Sequence, residues 1–149
     1  METKATDRSG EGNRSVVRIL DVAINRGREA IRVIEDAVRF LIDDEAVTRS
    51  LKSLRHEFVR LTEAVPLEER LSCRDTEADV GTSVQVESEY ERQSLEQVLR
   101  ANFCRFQESL RSIEEFSKLV FPEVSAGIEQ LRYQSYTLEK QIWQRMRQS

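Results

Sequence analysis

The stretch "LDVAINRGREAIRVIEDAVRFL", residues 20–41, decides the fold. Its apolar positions recur at steps of four and three: Leu20, Ile24, Gly27, Ile31, Ile34, Val38 and Leu41. That spacing places them on one face of a helix, the seam by which it packs in a bundle. The pattern returns 79 residues later in "LRANFCRFQESLRSIEEFSKLV", residues 99–120. There the seam reads Leu99, Phe103, Phe106, Leu110, Ile113, Ser117 and Val120. Six of the 21 aligned positions between 20–40 and 99–119 are identical, and four of the six are charged. They are Arg26/Arg105, Glu29/Glu108, Arg32/Arg111 and Glu35/Glu114, two copies of R-x-x-E-x-x-R-x-x-E. The helices that follow echo each other as well, "LKSLR" at 51–55 and "IEQLR" at 128–132, which sets Arg55 and Arg132 at matched places. This is an internal duplication. It predicts an all-α protein, an antiparallel four-helix bundle built from two duplicated helical hairpins with a long functional loop between them.

Residues 1–14 are polar and aperiodic and read as a flexible N-terminal tail. The rest reads as a single helical domain over 15–149: a hairpin 15–66, a connecting loop 67–92 and a hairpin 93–147. Ser15 or Asn13 is placed to cap the first helix, and Asp43 or Asp44 the second. The second helix carries Val47, Leu51, Leu54, Phe58 and Leu61 on one face and should end before Pro66. Residues 67–72 have room for one more short turn. Residues 73–90 lack helical period and carry the permissive Gly81; loops of that length in small domains are often functional. The third helix should run from about Ser94 to Val120. Pro122 suits the opening of a fourth, with Val124, Ile128, Leu131, Leu138, Ile142 and Met146 on its buried face.

Composition removes several classes of function. A net charge of −4 argues against a nucleic-acid binder, which is ordinarily basic. There is no long apolar run to span a membrane and no apolar segment near Met1, so a cytoplasmic location is expected. One His and two Cys do not make an ordinary structural zinc site, and Cys73 and Cys104 imply no disulfide framework. Cys104 has no evident base partner and is a poor nucleophile candidate. His56 reads as a surface residue, and Tyr133, Tyr136 and Trp143 as packing. No glycine-rich nucleotide-binding motif is present.

The repeated charges need an explanation. Arg and Glu three apart are ordinary surface pairs worth about 0.2–0.5 kcal/mol each. Pairs so weak give little reason to keep type and spacing in two copies. The stripe is flanked by Val22, Val33 and Phe40, which suggests that it is partly enclosed. A symmetric pocket is the alternative: arginines grip phosphate or carboxylate through forked donors, and glutamates orient them or hold Mg²⁺ beside a phosphate. That pocket requires the two stripes to face each other. The loop residues Arg74, Asp75, Thr76, Asp79 and Gly81 would suit a lid over a phosphorylated ligand.

Four blocks in order carry a family resemblance: "RILDVAINRGREAIRVIEDAVRF" at 18–40, "CRDTEADVGT" at 73–82, "ANFCRFQESLRSIEEFSKL" at 101–119 and "QLRYQSYTLEK" at 130–140. Together they resemble a small helical family of bacterial thiamin biosynthesis, found alone or fused ahead of a thiamine-phosphate synthase barrel. That family is taken to be a monofunctional hydroxymethylpyrimidine-phosphate kinase. The resemblance implies ATP-dependent phosphorylation of the pyrimidine monophosphate to the diphosphate, with Mg²⁺. It implies Arg105, Glu108 and Asp75 as catalytic candidates and Asp75 and Asp79 as Mg²⁺ ligands. Arg26, Glu29, Arg32, Arg55, Arg74, Thr76, Asp79, Gly81, Asn102, Arg111 and Arg132 would bind substrate or phosphate. The family tends to write Ala-Asn before each charged stripe; the second copy keeps it as Ala101-Asn102, while the first reads Val22-Ala23. The second copy is therefore where the chemistry is expected. The implied partners are the phosphorylated pyrimidine and a thiamine-phosphate synthase, with homo-oligomers open and neither nucleic acid nor membrane. A non-catalytic pyrimidine-phosphate-binding, dimerising or docking domain remains the alternative.

Overall fold

The computed structural model describes residues 10–84 and 91–148. Residues 1–9 of the expected tail and 85–90 of the expected connection lie outside the described residues. All regular structure among the described residues is helical: α1 (Glu11–Ala37), α2 (Glu45–Thr62), α3 (Leu67–Cys73), α4 (Leu95–Val120) and α5 (Pro122–Arg147). A π-helical turn, Val38–Ile42, extends α1, and a 3₁₀ turn, Val80–Ser83, follows α3. None of these helices is long and apolar enough to cross a membrane.

The two long periodic stretches form the centre. α1 packs mainly on α4; α2 and α5 flank them and touch each other, so the four long helices close around one core. Every predicted seam residue of α4 is buried, and so is every one of α1 except Leu41, which is 70% exposed. The π turn is the cause. Asp43 donates its backbone N–H to the Val38 carbonyl (2.8 Å), one residue farther back than in an α-helix. The wider turn rotates Leu41 off the seam, and Ile42 packs on the core in its stead. Asp43 then sits in the left-handed region (φ 58°), and Asp44 caps α2 by accepting from the Val47 N–H at 2.9 Å.

Other expectations meet specific physical reasons. α1 begins at Glu11, inside the segment read as tail, and its N-cap is Gly10 rather than Asn13 or Ser15. The short turn expected at 67–72 is a two-turn helix, 67–73, within the expected 67–92 connection; Pro66 precedes it with an extended backbone (ψ 136°), and α2 ends before that proline, at Thr62. Ser94 caps α4 by accepting from the Gln97 N–H, and a single buried residue, Phe121, joins α4 to α5 with Pro122 as the first helical residue. Val22, Val33 and Phe40 are exposed, so they do not enclose the charged stripe. Tyr133 and Tyr136 are also exposed rather than packed; Tyr133 donates its hydroxyl to Glu129 (2.7 Å).

The core closes tightly at Gly27. A Cβ there would meet Phe58 Cζ at 2.7 Å and Ser109 Oγ at 2.8 Å. Phe58 in turn lies edge-on to Phe106, with ring centroids 5.5 Å apart. The missing side chain on α1 thus makes room for an aromatic pair contributed by α2 and α4. This explains why the seam swaps glycine for phenylalanine between the copies.

Candidate functional site

The two charged stripes divide into an inner, committed end and an outer, uncommitted one. Glu35 and Glu114 are buried. Glu35 accepts from Arg55 Nε at 2.6 Å, with Arg32 3.6 Å away. Glu114 accepts from Arg132 Nε and Arg111 Nη1, both at 3.0 Å. These counterparts clamp α1 to α2 and α4 to α5. Hydrogen bonding to the Tyr136 oxygen, together with that to Glu114, holds the Arg132 guanidinium above its ordinary pKa, against the lowering effect of burial. Arg32, Arg55, Arg111 and Arg132, all expected to touch ligand, are therefore tied to carboxylates. The cavity of about 270 Å³ beside the first clamp is lined by Arg28, Glu29, Arg32, Arg55 and Val59.

The outer members differ. Arg26, Glu29, Arg105 and Glu108 are exposed and form no ion pair among the described residues. Arg26, Arg105 and Glu108 line one crevice of about 330 Å³ between α1 and α4, with Ala23, Ser109 and Ser112. The two stripes thus face each other at their first members, the condition a shared pocket required, and diverge toward α2 and α5 at their last.

A second cavity of about 290 Å³ lies between α1 and the segment after α3. Arg18, Asp21, Val22, Asn25, Arg26 and Glu29 line it from α1, and Arg74, Asp75, Thr76 and Asp79 from the loop. Arg26 lines both cavities. Asp21 organises the second one from beneath. It accepts from Arg70 Nε (2.9 Å) and from Arg74 Nε and Nη2 (2.8 and 2.9 Å). Arg70, itself buried, also donates to Asn25 Oδ1 at 3.0 Å. Burial pushes the Asp21 carboxyl up, but the hydrogen bonds and charges of Arg74 and Arg70 outweigh it and leave its pKa below the ordinary 3.8. The same bond raises Arg74. Two further arginines fasten this region to α1: Arg14 donates to the Ser72 carbonyl near the end of α3 (3.0 Å) and Arg18 to that of Asp75 in the loop (3.3 Å).

The loop carboxylates shape their own turns. Asp75 Oδ1 accepts from the Ala78 N–H and Asp79 Oδ1 from the Gly81 N–H, at 3.0 and 2.8 Å. One oxygen of each is left over. No cluster of three or more His, Cys, Asp or Glu able to hold a metal occurs among the described residues. Two single oxygens fit a Mg²⁺ that takes most of its ligands from phosphate and water, as Mg²⁺ commonly does. Gly81 lies in the 3₁₀ turn without positive φ, so the loop does not use its conformational freedom. It does not line the cavity, and neither does Asn102, whose amide donates to the Val98 carbonyl of its own helix (2.8 Å).

Sequence reasoning missed Arg18, Asp21, Asn25 and Arg70. A usable signal existed: Asp21 and Asn25 are spaced i,i+4 on one face of α1 beside the seam, and Arg70 and Arg74 stand four apart opposite them, Arg70 in α3 and Arg74 just past its end with an extended backbone. A connection over 67–92 with room for only a short turn does not show the second pair. The counterparts of Asp21 and Asn25 in the second copy are Arg100 and Cys104, and Arg100 pairs with Glu139 at 2.8 Å. The loop cavity is thus built around the first copy, the one that departs from the Ala-Asn pattern.

A family model described as the ThiD2 family matches residues 18–141. The chain is 41% identical over 127 residues to a thiamine-phosphate synthase of Nostoc punctiforme, a match that covers 85% of this chain and 35% of that protein. It is 38% identical over 130 residues to one of Rhodopirellula baltica, covering 87% and 35%. With one of Thermosynechococcus vestitus it shares 41% over 134 residues, covering 90% and 37%. The chain thus spans about a third of the length of these relatives. No solved structure matches.

Proposed function

This chain belongs to the ThiD2 family, and from that membership, its relatives' names and the geometry above we propose that it acts in thiamin biosynthesis as a kinase. Its reaction is transfer of a phosphoryl group from ATP to 4-amino-5-hydroxymethyl-2-methylpyrimidine phosphate, giving the diphosphate. The observation that carries this reading is Arg26. Its guanidinium has no carboxylate partner among the described residues and stands on the wall shared by the loop cavity and the α1–α4 crevice.

An oxygen of the acceptor's phosphate attacks the γ-phosphorus of ATP. The bond from that phosphorus to the β–γ bridging oxygen breaks, and ADP leaves with the electron pair. The attacking phosphate is already anionic near neutral pH, so positioning and charge stabilisation dominate over base catalysis. Arg26 stabilises the negative charge on the transferring group, with Arg105 across the crevice; Glu108, a carboxylate on the same wall, would orient a guanidinium or help hold Mg²⁺. Asn25 and Thr76 present a donor and acceptors to an aminopyrimidine edge, and Arg74, fixed on Asp21, faces the acceptor phosphate. Mg²⁺ when bound neutralises phosphate charge, and Asp75 and Asp79 are the residues that would hold it.

A second reading rests on coverage. About two thirds of each relative lies outside the match, which suits a domain that binds the pyrimidine phosphate, or docks on a synthase, without transfer chemistry. One experiment separates the two. The chain is mixed with the pyrimidine monophosphate, ATP and Mg²⁺, and phosphorus NMR follows the products. Diphosphate formation supports the kinase; binding of the monophosphate by calorimetry with no product supports the second reading.

A further inference from the structure

The two cavities that meet at Arg26 differ in chemistry. The crevice between α1 and α4 is walled by Arg26, Arg105, Glu108, Ser109 and Ser112, with Ala23 the one apolar contributor. Ser109 already donates its hydroxyl to the Phe106 carbonyl (2.7 Å) and serves as floor. Among the described residues no aromatic side chain lines it to sandwich a base. What the crevice offers is two guanidiniums, from matched positions of the two repeats, with no ion-pair partner among the described residues. The loop cavity instead has Val22 as an apolar wall and the short polar side chains of Asn25 and Thr76, suited to the edge of a small heterocycle, with Asp75 and Asp79 at its loop side.

We propose that the crevice binds the polyphosphate chain of the phosphoryl donor while the loop cavity binds the acceptor's ring, with Arg26 touching the phosphoryl group that passes between them. This rests on the kinase reading and deepens it by assigning each substrate a compartment. It has a consequence for specificity. A crevice that holds phosphates and leaves the base outside its walls discriminates poorly between nucleobases, because no buried polar group is left unpaired when the base changes. ATP and GTP therefore serve equally as donors.

The test is calorimetric, with inorganic tripolyphosphate and the pyrimidine monophosphate as separate probes, on wild type and on R105Q. Arg105 is exposed, so the variant keeps its fold, which circular dichroism verifies. Losing one charge-assisted contact weakens tripolyphosphate by about tenfold or more, and affinity for the monophosphate is unchanged. The assignment is overturned if wild type fails to bind tripolyphosphate, or if R105Q weakens both probes alike or neither. A wild type that binds both probes, with R105Q selective, yet forms no diphosphate removes the kinase reading and leaves the compartments standing. Turnover with an R105Q variant of unchanged tripolyphosphate affinity removes only the compartments.

Discussion

Replacing Asp21 by alanine tests the foundation of the loop cavity. The Asp21 side chain is 3% exposed and Arg70 7%, whereas Arg74 is 40% exposed. Without the carboxylate, Arg70 keeps only the Asn25 carbonyl as a side-chain acceptor. Breaking a buried ion pair from one side costs about 3–5 kcal/mol, because the surviving charge is stranded. Arg74 is screened by solvent and adds about 0.2–1 kcal/mol. For a chain of this size each kcal/mol lowers Tm by about 2–4 °C, so D21A should melt roughly 6–24 °C below wild type. The double variant D21A/R70M removes the stranded charge and should recover part of the loss. The pH dependence has a definite sign. The folded-state pKa of Asp21 lies below its ordinary 3.8, so the pair's stabilisation is complete above that value and is lost as pH falls through the folded pKa. Thermal melts by far-ultraviolet circular dichroism should therefore show a wild-type advantage that is constant near neutrality and shrinks below pH 3.8. A D21A variant within about 1 kcal/mol of wild type, or a double variant whose losses simply add, would refute this.

Two further stability predictions follow from the core and the clamps. G27A should destabilise by about 1–3 kcal/mol, because its Cβ collides with the buried ring of Phe58; a helix-propensity gain of under about 1 kcal/mol does not offset that. A variant as stable as wild type in urea titration would show that the Phe58–Phe106 pair yields easily. E35Q and E114Q should each cost about 2–4 kcal/mol, discounted for the exposure of Arg32 and Arg111, and should match within about 1 kcal/mol. A large difference between them would mean that the two clamps are not energetic counterparts.

The seams of α1 and α4 were legible because packing in a bundle enforces the four–three period wherever a face is buried. Leu41 escaped because a π turn leaves no mark in the apolar spacing. The enclosure inferred from Val22, Val33 and Phe40 failed for a different reason: scattered exposed apolar residues are common, and only contiguity with the core identifies burial. The charged repeats were read as one stripe, yet the fold splits each into a clamp (Glu35, Glu114) and an open pair (Arg26 with Glu29, Arg105 with Glu108). One-dimensional spacing is the same in both halves. What separates them is the position of Arg55 and Arg132 on neighbouring helices, a tertiary fact. The Asp21–Arg70 pair is not legible because its partnership spans 49 positions and the short turn expected at 67–72 does not say which face it turns to α1.

Arg26 stands on the wall shared by the two cavities proposed as substrate compartments. The direct measurement is kcat/KM for pyrimidine-monophosphate phosphorylation by wild type and R26Q, with Mg²⁺ and ATP saturating and both proteins shown to be equally folded. Loss of a charge-stabilising donor at a transferring group predicts a fall of roughly 10²–10³-fold. An R26Q variant as active as wild type, or a folded wild type that transfers no phosphoryl group at all, would contradict the account.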